Sequence, residues 1–165
     1  MTTTDVRPGA GPRLDPRRLP ALARQLAGQR DRWPAFRFDS QRRWYGRVPV
    51  DGNVEAWLLT WLPGQTTGLH DHGEAAGAFA VVQGVLHETA VTLRAGRGLH
   101  EVTRAYEQGQ VRPFGSWHVH DMINRGPRPA ISLHVYSPAL AVMRRYRRYG
   151  DRLVQIAVQL AGEDW

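Results

Sequence analysis

Two histidines one residue apart constrain this chain more than any other feature of its sequence. They lie in Gly64–Gly73, which reads Gly-Gln-Thr-Thr-Gly-Leu-His-Asp-His-Gly. On an extended backbone alternate side chains share a face, so a strand here places His70 and His72 together and turns Asp71 away. Neutral imidazole is a common metal ligand. The segment therefore predicts a strand that presents two metal ligands on one face.

A second histidine segment and the spacing of the glycines extend this pattern. Gly77 follows the first two histidines, and residues 113–124 contain His118 and His120. The spacing resembles the two motifs of the cupin superfamily, although cupins usually carry Glu at the position of Gly77. The resemblance implies an all-β fold, a small antiparallel β-barrel or jelly roll, that brings a third histidine close to the first two.

More narrowly, the chain resembles the bacterial type of the cysteine dioxygenase type I family. These thiol dioxygenases are cupins with three histidine ligands and no carboxylate on the metal. The matching segments are residues 61–65, 70–72, 77–88, 120–124 and 132–138. Each segment alone is a weak signal, but the combination is specific.

The resemblance implies an iron(II) cofactor held by His70, His72 and a third histidine. The cupin spacing points to His118, whereas the family's spacing of histidine and asparagine selects His120 with Asn124. We expect His120 and keep His118 as the alternative. Three neutral imidazoles leave the metal its full charge, which an anionic thiolate complements. The reaction implied is the oxidation of L-cysteine by O2 to cysteine sulfinate.

A row of polar residues is predicted to assist this chemistry. Ser132, His134 and Tyr136 stand at alternate positions of one run, so they share a face of a strand and can form a hydrogen-bonded row. In the family the tyrosine hydroxyl lies near the iron and the histidine orients it. A buried strand whose polar groups satisfy one another is the structural alternative.

In animal members of the family a cysteine becomes cross-linked to this tyrosine. This chain has Gly77 at that position and no cysteine anywhere. Tyr136 is therefore expected to be held by packing and hydrogen bonds alone.

Arginine is expected to bind the substrate carboxylate, because its planar guanidinium donates two parallel hydrogen bonds. Arg47 stands at the family's carboxylate-binding position, and Arg43 is the next choice. Relatives specific for 3-mercaptopropionate tend to have glutamine there, so Arg47 favours L-cysteine, and 3-mercaptopropionate or another small thiol is the first alternative. From another class, a non-catalytic small-molecule-binding cupin or a three-histidine zinc protein is the alternative, although neither requires the polar row.

The length of 165 residues suits one domain. Residues 1–13 lack apolar periodicity and are predicted as a disordered arm, followed by a single domain over residues 14–165. A helix is predicted over about residues 15–28, and short strands follow it. The run Met143–Tyr149 alternates tyrosines with arginines and is predicted as a charged edge strand.

Composition excludes several other functions. The chain has no cysteine, which rules out disulfides, thiol catalysis and Cys-ligated zinc. Its net charge of +7 comes from residues near its two ends, while the centre is close to neutral, so we expect no nucleic-acid partner. No apolar run has the length of a membrane span, and the amino terminus lacks a signal-peptide pattern. We expect a cytoplasmic monomer whose partners are a small thiol and O2.

Overall fold

The computed structural model describes residues 12–94 and 98–160, which form two packed β-sheets with one helix outside them. Residues 1–11 of the predicted arm lie outside the described residues. Helix α1 spans Leu19–Gly28. The strands are β1 (Tyr45–Val48), β2 (Glu55–Trp61), β3 (His70–Asp71), β4 (Ala76–Gln83), β5 (Val85–Arg94), β6 (Gly98–Glu107), β7 (Val111–Phe114), β8 (Val119–Ile123), β9 (Ala130–Ser137), β10 (Val142–Tyr149) and β11 (Arg152–Leu160).

One sheet has five strands in the order β1-β2-β9-β4-β7, and the other has six in the order β11-β10-β3-β8-β5-β6. All neighbouring strands in the two sheets pair in antiparallel fashion. The cupin fold implied by the sequence is confirmed, including its N-terminal helix. No helix among the described residues is long and apolar enough to cross a membrane.

The helix begins as its sequence predicts. The Asp15 carboxylate accepts a hydrogen bond from the Arg17 backbone N–H at 2.9 Å, and a 3₁₀ turn over Pro16–Arg18 leads into α1. Leu19, Ala23 and Leu26 recur at helical spacing and are buried. They pack against the outer face of the five-stranded sheet.

This sheet is buried on both faces, which explains the nearly continuous apolar runs of its central strands. In β4, Ala76, Ala78 and Ala80 belong to the cluster that contains the helix, whereas Phe79 and Val81 belong to the cluster between the sheets. Small alanine side chains allow the helix to approach closely. The inner face of the same sheet remains available for the functional residues.

The prediction of a charged edge strand is wrong in one respect. Met143–Tyr149 lies within β10, which pairs with β11 on one side and with β3 on the other. The edge of the six-stranded sheet is therefore β11, whose exposed residues include Val154 and Ile156. Its interior place allows β10 to direct side chains toward the space between the sheets.

Candidate active site

The structure brings His70, His72 and His120 together between the two sheets. Their ligand atoms lie within 4.8 Å of one another, and all three residues are buried. Strand β3 is only two residues long, but it pairs His70 directly with His120 of β8. The short strand therefore joins two distant segments of the chain at one point.

Asp71 turns to the opposite face, as the alternation predicts. Its carboxylate accepts hydrogen bonds from the Tyr146 hydroxyl at 2.6 Å and from the Gly73 backbone N–H at 2.8 Å. Gly73 has a φ of 58°, and a Cβ there would lie 2.7 Å from Val142. The buried carboxylate thus holds the turn that carries His72 into the site.

Hydrogen bonds orient two of the histidines so that a lone pair faces the centre of the cluster. The Nδ1–H of His70 donates to the Gly68 carbonyl at 2.8 Å, and that of His120 donates to Glu88 Oε1 at 2.9 Å. The Nε2 of His120 and the Nδ1 of His72 are buried without a hydrogen-bond partner. Buried polar atoms are rarely left unpaired, so these nitrogens fit a metal ion that the donor set would bind.

Burial also keeps the ligands in the form that binds metal. It is the main cause that lowers the pKa of His70 and His72 well below 6.5, and it lowers the pKa of His120. The three imidazoles are therefore neutral at neutral pH.

Glu88 connects both candidates for the third ligand and was not assigned a role from the sequence. Its buried carboxylate accepts hydrogen bonds from His118 Nε2 and His120 Nδ1, each at 2.9 Å, and from Arg112 Nε at 3.1 Å. Burial alone would raise the pKa of Glu88, but the two histidine hydrogen bonds and the charge of Arg112 outweigh it and hold the pKa well below its usual range. Glu88 is therefore a carboxylate that orients His120.

His118 and His120 lie side by side, with ring centroids 4.9 Å apart. Only His120 joins the cluster with His70 and His72, whereas His118 Nε2 donates to the same Glu88 oxygen as His120 Nδ1. The geometry thus favours His120, the choice made from the family's spacing.

The predicted polar row is present on β9. Trp61 Nε1–H donates to the Ser132 hydroxyl at 2.9 Å, Ser132 lies 2.8 Å from His134 Nε2, and the Tyr136 hydroxyl lies 3.3 Å from His134 Nδ1. Indole only donates, so Ser132 accepts from Trp61 and keeps its own proton. If Ser132 gives that proton to His134 Nε2, the Nδ1–H of His134 donates to Tyr136 Oη. In this tautomer the proton of the Tyr136 hydroxyl is free to point into the cavity.

Burial sets the protonation of this row. It lowers the pKa of His134 to about 3, and it raises the pKa of Tyr136 well above 10. At neutral pH His134 is a neutral imidazole and Tyr136 keeps its proton.

Phe114 occupies the space beside Tyr136 that Gly77 leaves open. Gly77 pairs directly with Tyr136 across the sheet, and a Cβ at Gly77 would overlap the Phe114 ring and lie 2.8 Å from the Val135 carbonyl oxygen. The Phe114 ring stacks on His72 at 5.5 Å and lies 6.1 Å from Tyr136. Aromatic packing thus supports a tyrosine that has no covalent cross-link.

Arg47, the first choice for the carboxylate ligand, is not among the residues that line the cavity. Its Nη2 lies 3.1 Å from Glu55 Oε1, and its side chain is 53% exposed. Glu55 is buried, so it needs a counter-ion and draws the Arg47 guanidinium to the surface. Arg43, the alternative, does line the cavity, as does Arg145, which the sequence did not single out.

The cavity lies between the two sheets and contains all three histidines and the polar row's tyrosine. Its lining residues are Arg43, Tyr45, Trp57, Leu59, Thr67, His70, His72, His120, Met122, His134, Tyr136, Leu140, Met143 and Arg145. Apart from the histidines and arginines the lining is largely apolar and aromatic. Such a cavity suits a small ligand with few, well-placed polar groups.

Solved structures share this fold. They include a conserved protein with a double-stranded β-helix domain from Klebsiella pneumoniae, with 20% identity, 66% of this chain and 82% of that chain covered, and a TM-score of 0.55. TT1209 from Thermus thermophilus has 20% identity, with 63% of this chain and 90% of that chain covered, and a TM-score of 0.50. An oxalate oxidase in complex with glycolate has 18% identity, with 64% of this chain and 55% of that chain covered, and a TM-score of 0.53. These likenesses show the fold.

A match to a family model extends over nearly the whole described chain. The model of cysteine dioxygenase type I matches residues 14–149, which include helix α1, the three clustered histidines and the polar row. The chain therefore belongs to the cysteine dioxygenase type I family.

Proposed function

We propose that the protein is a non-haem iron(II) dioxygenase of small thiols that oxidises L-cysteine to cysteine sulfinate. The observation that carries this proposal is that three buried neutral imidazoles and the Tyr136 hydroxyl face one cavity. The reaction balances without another reductant, because a thiolate and one O2 give one sulfinate. Membership of the family supports oxygen chemistry on a thiol.

His70, His72 and His120 would hold the iron, and no carboxylate is among these ligands. Iron(II) bound there supplies positive charge and the redox chemistry that lets O2 react with a thiolate. Glu88 fixes the ring of His120 through its Nδ1–H. The largely apolar lining lowers the local dielectric constant and strengthens the hydrogen bonds made in the cavity.

Tyr136 supplies a hydrogen bond from the opposite wall. Its raised pKa keeps the hydroxyl protonated, and the row through His134 and Ser132 fixes its orientation. It donates to the substrate thiolate or to the oxygen atoms that the sulfur gains. A donor placed where negative charge develops lowers the barrier of the reaction.

Oxygen uptake tests the proposal. Metal-free protein is reloaded anaerobically with iron(II) or with zinc(II), and each form is given L-cysteine, 3-mercaptopropionate and cysteamine separately. The proposal predicts uptake with iron, matched by sulfinate, and none with zinc. No uptake with any thiol, despite one iron per chain, would contradict it in favour of a zinc or binding cupin. The proposal keeps the expected cytoplasmic location and monomeric state.

A further inference from the structure

Two arginines from distant parts of the chain converge on one wall of the cavity. Arg43 precedes β1, and Arg145 lies in β10. The Arg43 Nη1–H donates to the Thr66 carbonyl at 3.3 Å, and the Arg145 Nη1–H donates to the carbonyl of the next residue, Thr67. Consecutive carbonyls thus hold two guanidinium groups side by side, and both arginines line the cavity.

Neither guanidinium has an anionic partner in the part of the chain that the structure describes. Arg43 lies over the ring of Trp61 at 4.8 Å, and its buried Nε has no hydrogen-bond partner. Burial, and then the charge of Arg145, lower the pKa of Arg43 to about 10, so both groups remain charged at neutral pH. Two like charges are held together in a partly desolvated place, which is costly unless an anion joins them.

Asp121 lies close enough for its charge to raise the pKa of Arg43, but it forms no ion pair with either arginine among the described residues. It alternates with His120 along β8 and faces away from the cavity, where its carboxylate accepts hydrogen bonds from Thr66 at 2.6 Å and Thr67 at 3.1 Å. The described residues that line the cavity include two arginines and no carboxylate. The protein therefore leaves two positive charges for the ligand to neutralise.

We infer that the cavity binds small thiols with two carboxylate groups more tightly than L-cysteine, because the two carboxylates can bind to Arg43 and Arg145. Each guanidinium has donors left for a carboxylate. Among the described residues Arg43 donates one hydrogen bond, to Thr66, and Arg145 donates two, to Thr67 and Gln159. The thiol part of this inference rests on the proposed function, whereas the dicarboxylate part rests on the arginine pair alone. L-Cysteine, with one carboxylate, is then a poorer substrate than a dicarboxylate thiol.

Binding of sulfur-free acids to metal-free protein tests the dicarboxylate part. Succinate and propionate are titrated calorimetrically into wild-type protein and into Arg145→Gln, Arg43→Gln and Arg147→Gln, in a buffer without carboxylate or phosphate. Arg147 is the matched control, because it lies on the same strand but is exposed. We expect succinate to bind at least about tenfold more tightly than propionate to wild type and to Arg147→Gln. Either cavity variant should abolish this preference.

Equal affinity for the two acids in wild type would overturn the inference. So would an equal loss in Arg147→Gln and Arg145→Gln, since that would indicate a general effect of net charge. Thermal melting of each variant shows whether it is folded. If one of the two cavity variants does not fold, the other still tests the inference. On iron-loaded protein, mercaptosuccinate should exceed 3-mercaptopropionate in kcat/KM by a similar factor. Because the binding test contains no thiol and no metal, its failure is distinct from a failure of thiol oxidation.

Discussion

The two walls of the cavity are built in different ways. The wall from the five-stranded sheet takes Trp57 and Leu59 from β2, and His134 and Tyr136 from β9, all at alternate positions of regular strands. The opposite wall takes its residues from a loop, from the two-residue strand β3 and from parts of β8 and β10. The first wall carries the hydrogen-bonded tyrosine, and the second carries the metal ligands and Arg145.

The regularity of a strand decides which kind of site its wall can hold. A regular strand fixes the distance between neighbours on its face, which suits a row of hydrogen bonds. Metal binding needs three groups around one point, and three successive positions of one strand cannot supply that geometry. Irregular segments joined by short pairings provide it, at the cost of buried polar groups that need support such as Glu88 and Asp71.

The largest effect is expected from a substitution in the irregular wall, which is the wall that carries the metal ligands. His70→Ala removes one of three ligands, so we expect loss of bound metal and of activity below detection, with the apolar sheet and its helix still folded. Metal analysis and circular dichroism measure the two parts separately. His100→Ala, at an exposed histidine, is the control and should keep its metal. Full metal content in His70→Ala would show that the cluster is not the metal site.

A substitution in the regular wall, which the five-stranded sheet forms, should separate catalysis from metal binding. Tyr136→Phe removes only the hydroxyl that points into the cavity, so kcat should fall by about 100-fold while the metal content stays the same. Steady-state kinetics with L-cysteine and metal analysis on one preparation measure both. An unchanged kcat would mean that the row on β9 is only a structural feature.

The support of the irregular wall is tested at Glu88. Glu88→Gln weakens the hold on the ring of His120, so we expect metal affinity to fall by about 10-fold to 100-fold. Competition with a chelator measures this affinity. Glu101→Gln, which removes the ion pair of an exposed strand residue with Arg148, should bind metal as wild type does. Equal metal affinity of the two variants would show that the orientation of His120 by Glu88 does not contribute to metal binding.

The smallest effect is a dependence of stability on pH in the regular wall. The pKa of His134 is about 3 in the folded protein and 6.5 in the unfolded chain. The unfolded chain therefore binds a proton that the folded protein does not, and stability falls as the pH drops from about 6.5 toward 3. The loss from His134 alone is about 2 kcal/mol at pH 5.

Urea unfolding of metal-free protein at several pH values measures this slope. The buried ligand histidines add to it in the same direction, because burial lowers their pKa as well. His134→Asn should unfold with a shallower dependence on pH than wild type. An identical slope in the two proteins would show that His134 is protonated in the folded state.

The regular wall could largely be predicted from the sequence, because its signal is local. Ser132, His134 and Tyr136 follow period two, and the structure places them in one row. The positions of His70 and His72 could be predicted for the same reason. His70 lies in β3, and His72 directly follows the end of that strand.

Residues that act through distant contacts could not be placed in this way. Glu88 lies within a segment that matches the family. Its only local signal is that a charged residue shares a face of the strand with the buried, apolar Leu86. Arg47 stands at the family's position, but Glu55 on the neighbouring strand holds it outside the cavity. Arg145 enters the cavity because β10 pairs with β3 opposite His70, which no local pattern reveals.

Oxygenation of the thiol sulfur is tested by one turnover of iron-loaded protein with L-cysteine under ¹⁸O2, followed by mass analysis of the product. We expect a sulfinate that carries two labelled oxygen atoms, formed in proportion to the O2 consumed. The same experiment with mercaptosuccinate should give the same label. Cystine, or a sulfinate without label, would show that the protein is not a thiol dioxygenase, because O2 would then have acted only as an electron acceptor.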